Sequence, residues 1–199
     1  MSAAAECGLI IFLRFPEKGK VKTRIASTLG DDIAFEAYQL LSDITLQLAS
    51  ELDVPVYLFY DGGIPSHLDK TSFHFQNQPE GDLGLRMLSA FHIVLKSHQK
   101  AIIIGSDCPE ISKDDITIAF QNLDDHDIVI GPTQDGGYYL LGVKEAYPFL
   151  FDQIDWSTDL VFEQTIQRIK DNHKTFYSLR NLEDIDEGDQ WTRFKEKRR

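Results

Sequence analysis

Five basic side chains are crowded into one short segment near the start of the chain. The eleven residues from Arg14 to Arg24 (RFPEKGKVKTR) contain these five and a single acid, Glu17. Arginine offers a planar fork of donors, lysine offers a mobile charge, and Gly19 lets backbone N–H groups approach oxygen atoms. The segment therefore suits phosphate groups, with a solvated basic loop as the alternative. The spacings of a Walker A loop and of the dinucleotide G-x-G-x-x-G motif are absent.

A carboxylate follows the most aliphatic run of the sequence, Ala101–Gly105. Asp107 lies two residues beyond this run, where Gly105 permits a close turn and Pro109 ends the strand. In this position a carboxylate could hold Mg²⁺ or Mn²⁺ between the protein and a diphosphate. Spacing alone leaves an equal alternative, an aspartate that only shapes a turn.

A third motif combines an acid, two glycines and an aromatic pair in GPTQDGGYYLLG, residues 131–142. Asp135, Gly136 and Gly137 would let the backbone approach a sugar or base closely, and Tyr138 could stack on it. A hairpin turn of the Asp-Gly type explains the same residues without a ligand.

Two further clusters of charged residues indicate a functional site less strongly. In QPEGDLGLRM, residues 78–87, Asp82 and Arg86 stand four apart at the start of a helical pattern, as in an ordinary surface pair. Near the end of the chain, Asp186 lies in an acidic stretch around Gly188. It could be a second metal ligand or part of a solvated acidic loop.

Composition narrows the class of protein. The 199 residues carry 20 Lys and Arg against 32 Asp and Glu, a formal charge of −12, which argues against nucleic acid or an anionic membrane as partner. The apolar run Gly8–Leu13 is too short for a membrane span or a signal peptide. Two cysteines make no disulfide framework. We therefore expect a cytoplasmic protein with no membrane span.

Short apolar runs alternate with helical patterns and would position these motifs. The predicted strands are Gly8–Leu13, Val54–Tyr60, Ser72–Gln76, Ala101–Gly105, Asp127–Gly131, Tyr138–Val143 and Thr175–Ser178. Helical spacing of apolar residues runs from Ala34 to Leu52, from Leu83 to Leu95 and from Val161 to Ile169, and Ser112 and Ser157 are predicted helix caps. This alternation predicts an α/β fold with a mostly parallel sheet covered by helices on both faces. Ligands of such sheets bind at the carboxyl ends of the strands, where the motifs lie.

Taken in order, FLRFPEKGKVKTRI, QPEGDLGLRM, IIIGSDCP, GPTQDGGYYLLG, DWSTD and LEDIDEGD resemble bacterial proteins of the glycosyltransferase-A superfamily, long grouped as a domain of unknown function. The resemblance spans nearly the whole chain. It implies that residues 1–199 form a single three-layer, Rossmann-like domain of the nucleotide-diphospho-sugar transferase type, with a mixed sheet of about seven strands.

The resemblance also implies roles for residues. Nucleotide binding would fall to Arg14, Lys22, Thr23, Arg24, Gly81, Asp82 and Arg86. Sugar or acceptor contacts would fall to Asp135, Gly136, Gly137 and Tyr138. Asp107 would carry Mg²⁺ or Mn²⁺ with Asp186 as second ligand, and the catalytic residues would be Asp107, Asp135 and Lys22.

The resemblance implies a metal-dependent transferase that takes a nucleotide sugar and a small-molecule acceptor. One departure concerns the D-x-D motif of such glycosyltransferases, because Gly105 stands where its first aspartate would be. The single aspartate and the V-K-T-R segment look closer to nucleotidyltransferases, including 2-phospho-L-lactate guanylyltransferase, which take a nucleoside triphosphate. A non-catalytic nucleotide-binding module is the remaining alternative.

Overall fold

The computed structural model describes residues 6–63, 65 and 73–198. Its strands are β1 (Cys7–Arg14), β2 (Val56–Asp61), β3 (His74–Asn77), β4 (Lys100–Ile104), β5 (Ile128–Pro132), β6 (Tyr138–Val143) and β7 (Phe176–Ser178). Its α-helices are α1 (Thr23–Leu29), α2 (Asp31–Ser50), α3 (Leu83–Val94), α4 (Lys113–Asp125), α5 (Val161–Asp171) and α6 (Gly188–Lys197).

The seven strands form one mixed sheet in the order β3-β2-β1-β4-β6-β5-β7. Strand β6 runs antiparallel to β4 and β5, and all other neighbours are parallel. The predicted fold class and strand count are confirmed. The third strand begins at His74, and the predicted start at Ser72 lies outside the described residues.

The central strands are buried on both faces because nearly every residue in them is apolar. Leu9 and Ile11 of β1 pack with residues of α2 and α4, whereas Ile10, between them, packs with residues of α3 and α5. Alternate side chains of a strand point to opposite faces, so an unbroken aliphatic run requires a helical layer on each side. Helix–sheet–helix layering follows.

Local capping signals were predicted with mixed success. Ser112 forms a capping box with Asp115 at the start of α4, as expected. The prediction that Ser157 caps α5 is wrong: the helix begins at Val161, and Ser157 has a left-handed φ of 66°. Thr158 Oγ1 accepts the N–H of Leu160 in this turn, so the polar residues shape a loop before the helix.

Two helices had no clear sequence signal. Helices α1 and α6 pack against α2 in a small apolar cluster built around Ile25 and Trp191. This packing fixes both ends of the site, because α1 begins at the end of the basic segment and α6 follows the acidic one.

The helices of the described residues include none that is both long and apolar enough to cross a bilayer.

Candidate active site

A cleft of about 880 Å³ opens at the carboxyl ends of β1 and β4. The chain leaves β1 toward β2 on one side and reaches β4 on the other, so the cleft lies where the order of strands reverses. Open α/β sheets bind ligands at such points. Twelve of the thirteen residues singled out from the sequence line this cleft: Arg14, Lys22, Thr23, Arg24, Gly81, Asp82, Arg86, Asp107, Asp135, Gly137, Tyr138 and Asp186.

The ammonium group of Lys22 lies between the two predicted metal ligands. Its Nζ is 2.6 Å from Asp107 Oδ1 and 2.7 Å from Asp186 Oδ1, and it donates a third hydrogen bond of 2.7 Å to the carbonyl of Ile185. The Lys22 side chain is 5% exposed. Its backbone is left-handed, with φ 47°, at the residue that precedes α1. The sequence analysis singled out Lys22, Asp107 and Asp186 separately, and the fold places them in one ion cluster.

Backbone hydrogen bonds bring the acidic segment to Asp107. Residues after β7 continue along the sheet edge, where Leu182 N–H donates to Pro132 and Ile185 N–H donates to the carbonyl of Asp107. Asp186 therefore follows a residue bonded to Asp107 itself. This explains how two carboxylates 79 positions apart in the chain meet at one nitrogen.

Charges in the cluster perturb one another. Burial opposes the charge of Lys22, but Asp107 and Asp186 outweigh it and raise the pKa of Lys22 above its ordinary value. The ammonium group is therefore protonated at neutral pH.

Burial, followed by the charges of Asp135 and Asp186, raises the pKa of Asp184 to about 7. Asp184 borders a smaller cavity of about 80 Å³ that shares Asp107 with the main cleft.

The cleft carries more negative than positive side chains. Its lining contains four cationic groups, Arg14, Lys22, Arg24 and Arg86, and five carboxylates, Asp82, Asp107, Asp135, Asp159 and Asp186. A polyphosphate alone would meet this excess of negative charge, because Lys22 is already paired with Asp107 and Asp186. A divalent cation would remove this repulsion, since it binds carboxylate and phosphate oxygens together.

The donor set fits such a cation. Asp107 and Asp186 each place one oxygen within 2.7 Å of the same point, and Mg²⁺ is commonly bound by one or two carboxylates with phosphate oxygens and water completing the shell. The residues described contain no cluster of three or more His, Cys, Asp or Glu side chains arranged as metal ligands. A metal here would depend on its partner ligand for the remaining positions.

Arg14 is held at the mouth of the cleft by Tyr38. The buried Tyr38 hydroxyl accepts the N–H of Arg14 at 2.8 Å and donates to its carbonyl at 2.5 Å. Glu17, the one acid of the same segment, pairs with Lys20. The exposed Arg14 side chain lines the cleft.

Arg86 forms different contacts from those its spacing suggested. It pairs with Asp61 at 3.3 Å and donates from Nε to the carbonyl of Gly81 at 2.8 Å. Asp82, four residues earlier, instead caps α3 by accepting the N–H of Leu85. The predicted pair within the helix is replaced by a link between the end of β2 and the Gly81 loop.

The Asp135 motif forms a hairpin turn that also faces the cleft. Asp135 Oδ1 accepts the Thr133 hydroxyl at 2.6 Å and the N–H of Gly137 at 3.0 Å, which closes the turn between β5 and β6. Gly136 is the one predicted residue that does not line the cleft. It packs instead on the backbone of Asp159, which a Cβ at Gly136 would meet at 2.1 Å.

Some lining residues escaped sequence reasoning about individual positions. They include Tyr38, Trp156, Ser157, Thr158 and Asp159. The last four belong to DWSTD, a motif that carried the family resemblance, but none of them had a predicted role in the site, and Ser157 was predicted only as a helix cap. Nothing in the spacing around Tyr38 links it to a residue 24 positions away.

The chain has a nucleotide-diphospho-sugar transferase-like fold, with the cleft at the carboxyl ends of its strands. A family model described as "Uncharacterized protein conserved in bacteria (DUF2064)" matches residues 44–158. The match covers more than half of the chain, and the chain belongs to this family. None of the curated proteins matches it.

Solved structures agree on the fold. A protein of Desulfovibrio desulfuricans G20, provisionally described as a nucleotide-diphospho-sugar transferase, is 29% identical, with 92% of this chain and 83% of that chain covered and a TM-score of 0.84. CMP:2-keto-3-deoxy-manno-octonic acid synthetase, complexed with CTP, is 12% identical, with coverage of 97% and 98% and a TM-score of 0.56. Rv0371c of Mycobacterium tuberculosis H37Rv, complexed with manganese, is 10% identical, with coverage of 96% and 97% and a TM-score of 0.57.

Proposed function

We propose that this protein is a divalent-metal-dependent transferase that acts on a nucleotide-activated substrate. The observation that carries the proposal is the pair of carboxylates, Asp107 and Asp186, converging on one point in a cleft rimmed by Arg14 and Arg24. Of the solved structures with a similar fold, one is a complex with CTP and another is a complex with manganese. These complexes support a nucleotide and a divalent metal as the ligands here. Bound Mg²⁺ or Mn²⁺ would supply positive charge against the diphosphate that leaves.

In the first reading the reaction is glycosyl transfer. An acceptor oxygen attacks the anomeric carbon of a nucleotide sugar, the bond from that carbon to the β-phosphate oxygen breaks, and the acceptor proton goes to a base. Asp135 is the proposed base, because both described hydrogen bonds to its carboxylate end on Oδ1 and leave Oδ2 for the acceptor. Of the residues that line the cleft, Gly137 and Tyr138 would contact the acceptor in this proposal, and Arg14, Thr23, Gly81 and Arg86 would contact the nucleotide. The description of the D. desulfuricans protein supports this reading.

A specific observation favours a second reading, nucleotidyl transfer. Gly105 stands where D-x-D would place a carboxylate, and Asp186 from a distant loop completes the pair. In this reaction an acceptor phosphate oxygen attacks the α-phosphorus of a nucleoside triphosphate, and pyrophosphate leaves. The same cleft would serve both, because each reaction neutralises a leaving diphosphate.

A two-stage experiment tests the proposal. Thermal shifts are measured with the four ribonucleoside triphosphates and a panel of nucleotide sugars, in Mg²⁺, Mn²⁺ or EDTA. We expect stabilisation that depends on the metal. Product analysis then separates the readings: nucleoside diphosphate indicates glycosyl transfer and pyrophosphate indicates nucleotidyl transfer. Binding without either product would identify a nucleotide-binding module, and no binding at all would contradict the proposal.

A further inference from the structure

Lys22 occupies the position that a metal ion held by Asp107 and Asp186 would take. Its Nζ makes three contacts of 2.6–2.7 Å with Asp107, Asp186 and the Ile185 carbonyl, and its side chain is 5% exposed. Two cations cannot share this point, because they repel each other and compete for the same oxygen atoms. Lys22 must therefore move if the metal binds there.

We propose that Lys22 is an exchangeable counter-ion. Its ammonium group holds the two carboxylates together until a metal binds with a phosphate ligand, and the ammonium group then moves and pairs with the phosphates. This inference rests on the proposed function. It assigns Lys22 a role distinct from that of a fixed phosphate-binding lysine.

The charge balance explains why the exchange needs both ligands. Metal alone would displace the Lys22 ammonium group from the two carboxylates that hold it, so the gain at the metal is offset by the loss at Lys22. A polyphosphate that arrives with the metal gives the displaced ammonium a new partner. Metal and phosphate therefore favour each other's binding through Lys22, which is a coupling between two sites.

The local structure permits this movement. The Lys22 backbone is anchored, since its carbonyl accepts the N–H of Ala26 in α1, while its charge sits on a flexible four-carbon stem that lines the cleft. Arg24 does not lie between the carboxylates: its exposed guanidinium is 3.9 Å from Asp186. Lys22 is thus the one lysine of the described cleft lining, and the cation whose position conflicts with metal.

The first test measures metal binding without nucleotide. Mn²⁺ is titrated by electron paramagnetic resonance into the wild type, Lys22→Met, Lys22→Gln and the control Lys20→Met, whose lysine pairs with Glu17 in the same segment. We expect Mn²⁺ affinity to rise about tenfold or more in both Lys22 variants, since a competing charge is removed, and to stay within about twofold in the control. Circular dichroism checks that each variant folds. Lys22→Gln retains hydrogen-bond donors, so it carries the comparison if Lys22→Met does not fold.

The second test measures phosphate binding with Mg²⁺ saturating. Inorganic pyrophosphate is titrated by calorimetry, because it carries the diphosphate that both proposed reactions share. We expect the Lys22 variants to lose about tenfold or more in affinity, the usual scale for a charge-assisted hydrogen bond, while Lys20→Met does not. Opposite signs in the two tests are the signature of exchange.

Other outcomes overturn the inference. Equal or weaker Mn²⁺ binding in both Lys22 variants, or no Mn²⁺ binding by any of the four proteins, would show that Lys22 does not compete with metal. Unchanged pyrophosphate affinity would show that it does not reach the phosphates. The Mn²⁺ comparison uses no nucleotide, so it stands even if the screen for nucleotide ligands fails.

Discussion

At the scale of single residues, charge placement sets what the cleft can bind. Lys22 is buried among carboxylates, whereas Arg14 and Arg24 are exposed at the rim. Exposed charges act mainly by attracting ligands and are weakened by salt, while the buried cluster depends on every partner being present. The rim and the cluster should therefore respond differently to substitution.

Arg14 is expected to contribute directly to nucleotide affinity. Arg14→Ala removes a donor that lines the cleft and should weaken binding by about 1.5 kcal/mol. Lys18→Ala is the matched control, because Lys18 belongs to the same segment but pairs with Asp32 outside the cleft lining. Calorimetry with the best nucleotide of the screen measures both. A larger loss for Lys18→Ala than for Arg14→Ala would remove Arg14 from the site.

Not all contacts of these residues could be predicted from sequence. Arg86 was expected near Asp82 because helical spacing is readable, yet it pairs with Asp61 of a neighbouring strand. The contact of Lys22 with Asp186 spans 164 positions and needs the backbone bond from Ile185 to Asp107. Such contacts depend on how strands and loops are placed against each other, which no local pattern encodes.

At the scale of elements, strands were predictable because their burial shows in composition. All seven predicted runs became strands. The central ones were the most readable, because apolar runs such as Ala101–Gly105 fit only where both faces are covered. The capping box of α4 was also readable from Ser112 and Asp115. The start of α5 was not, because the loop after Trp156 adopts a left-handed turn at Ser157 that polar residues do not specify.

The Asp135 turn should tolerate no side chain at Gly136. Gly136→Ala would bring Cβ within 2.1 Å of the Asp159 carbonyl and strain a φ of 88°. Gly19→Ala is the control, because φ is 81° but Cβ would meet only Asp31 Oδ2 at 3.7 Å. Thermal unfolding should show a clearly lower Tm for Gly136→Ala than for Gly19→Ala. Equal losses would mean that conformation alone, and not contact with Asp159, requires the glycine.

Acid should weaken the ion pair between Asp115, in the first turn of α4, and Arg180. Burial opposes the charge of Asp115, but hydrogen bonds from Arg180 and Ser112 outweigh it and hold the pKa of Asp115 below its ordinary value. Its contribution is therefore complete above the unfolded-state pKa of about 3.9 and is lost as pH falls through the folded-state pKa. Asp115→Asn should cost about 1–3 kcal/mol near neutral pH.

Denaturant unfolding of the wild type and Asp115→Asn from pH 7 to pH 2 measures this loss. The two free energies of unfolding should converge at the acid end, because a protonated aspartate resembles asparagine. A difference that stays constant across the range would show that charge on Asp115 contributes nothing.

At the scale of the whole molecule, the order of strands creates the site. The reversal between β1 and β4 opens the cleft, and parallel pairing of β5 with β7 returns the chain to the same edge. The fold class followed from the alternation of strands and helices. A single domain over residues 1–199 and a cytoplasmic location stay predictions.

The metal account is tested most directly through Asp107. Nucleotide affinity is measured by calorimetry for the wild type, Asp107→Asn and the remote control Asp171→Asn, each with Mg²⁺ and with EDTA, using the best nucleotide of the screen. Asp107→Asn keeps the shape of the side chain and removes its charge. We expect Mg²⁺ to tighten binding in the wild type and in Asp171→Asn, and to have no effect on Asp107→Asn. If Asp107→Asn keeps the full wild-type response to Mg²⁺, Asp107 is only a turn residue and the proposed metal site is wrong.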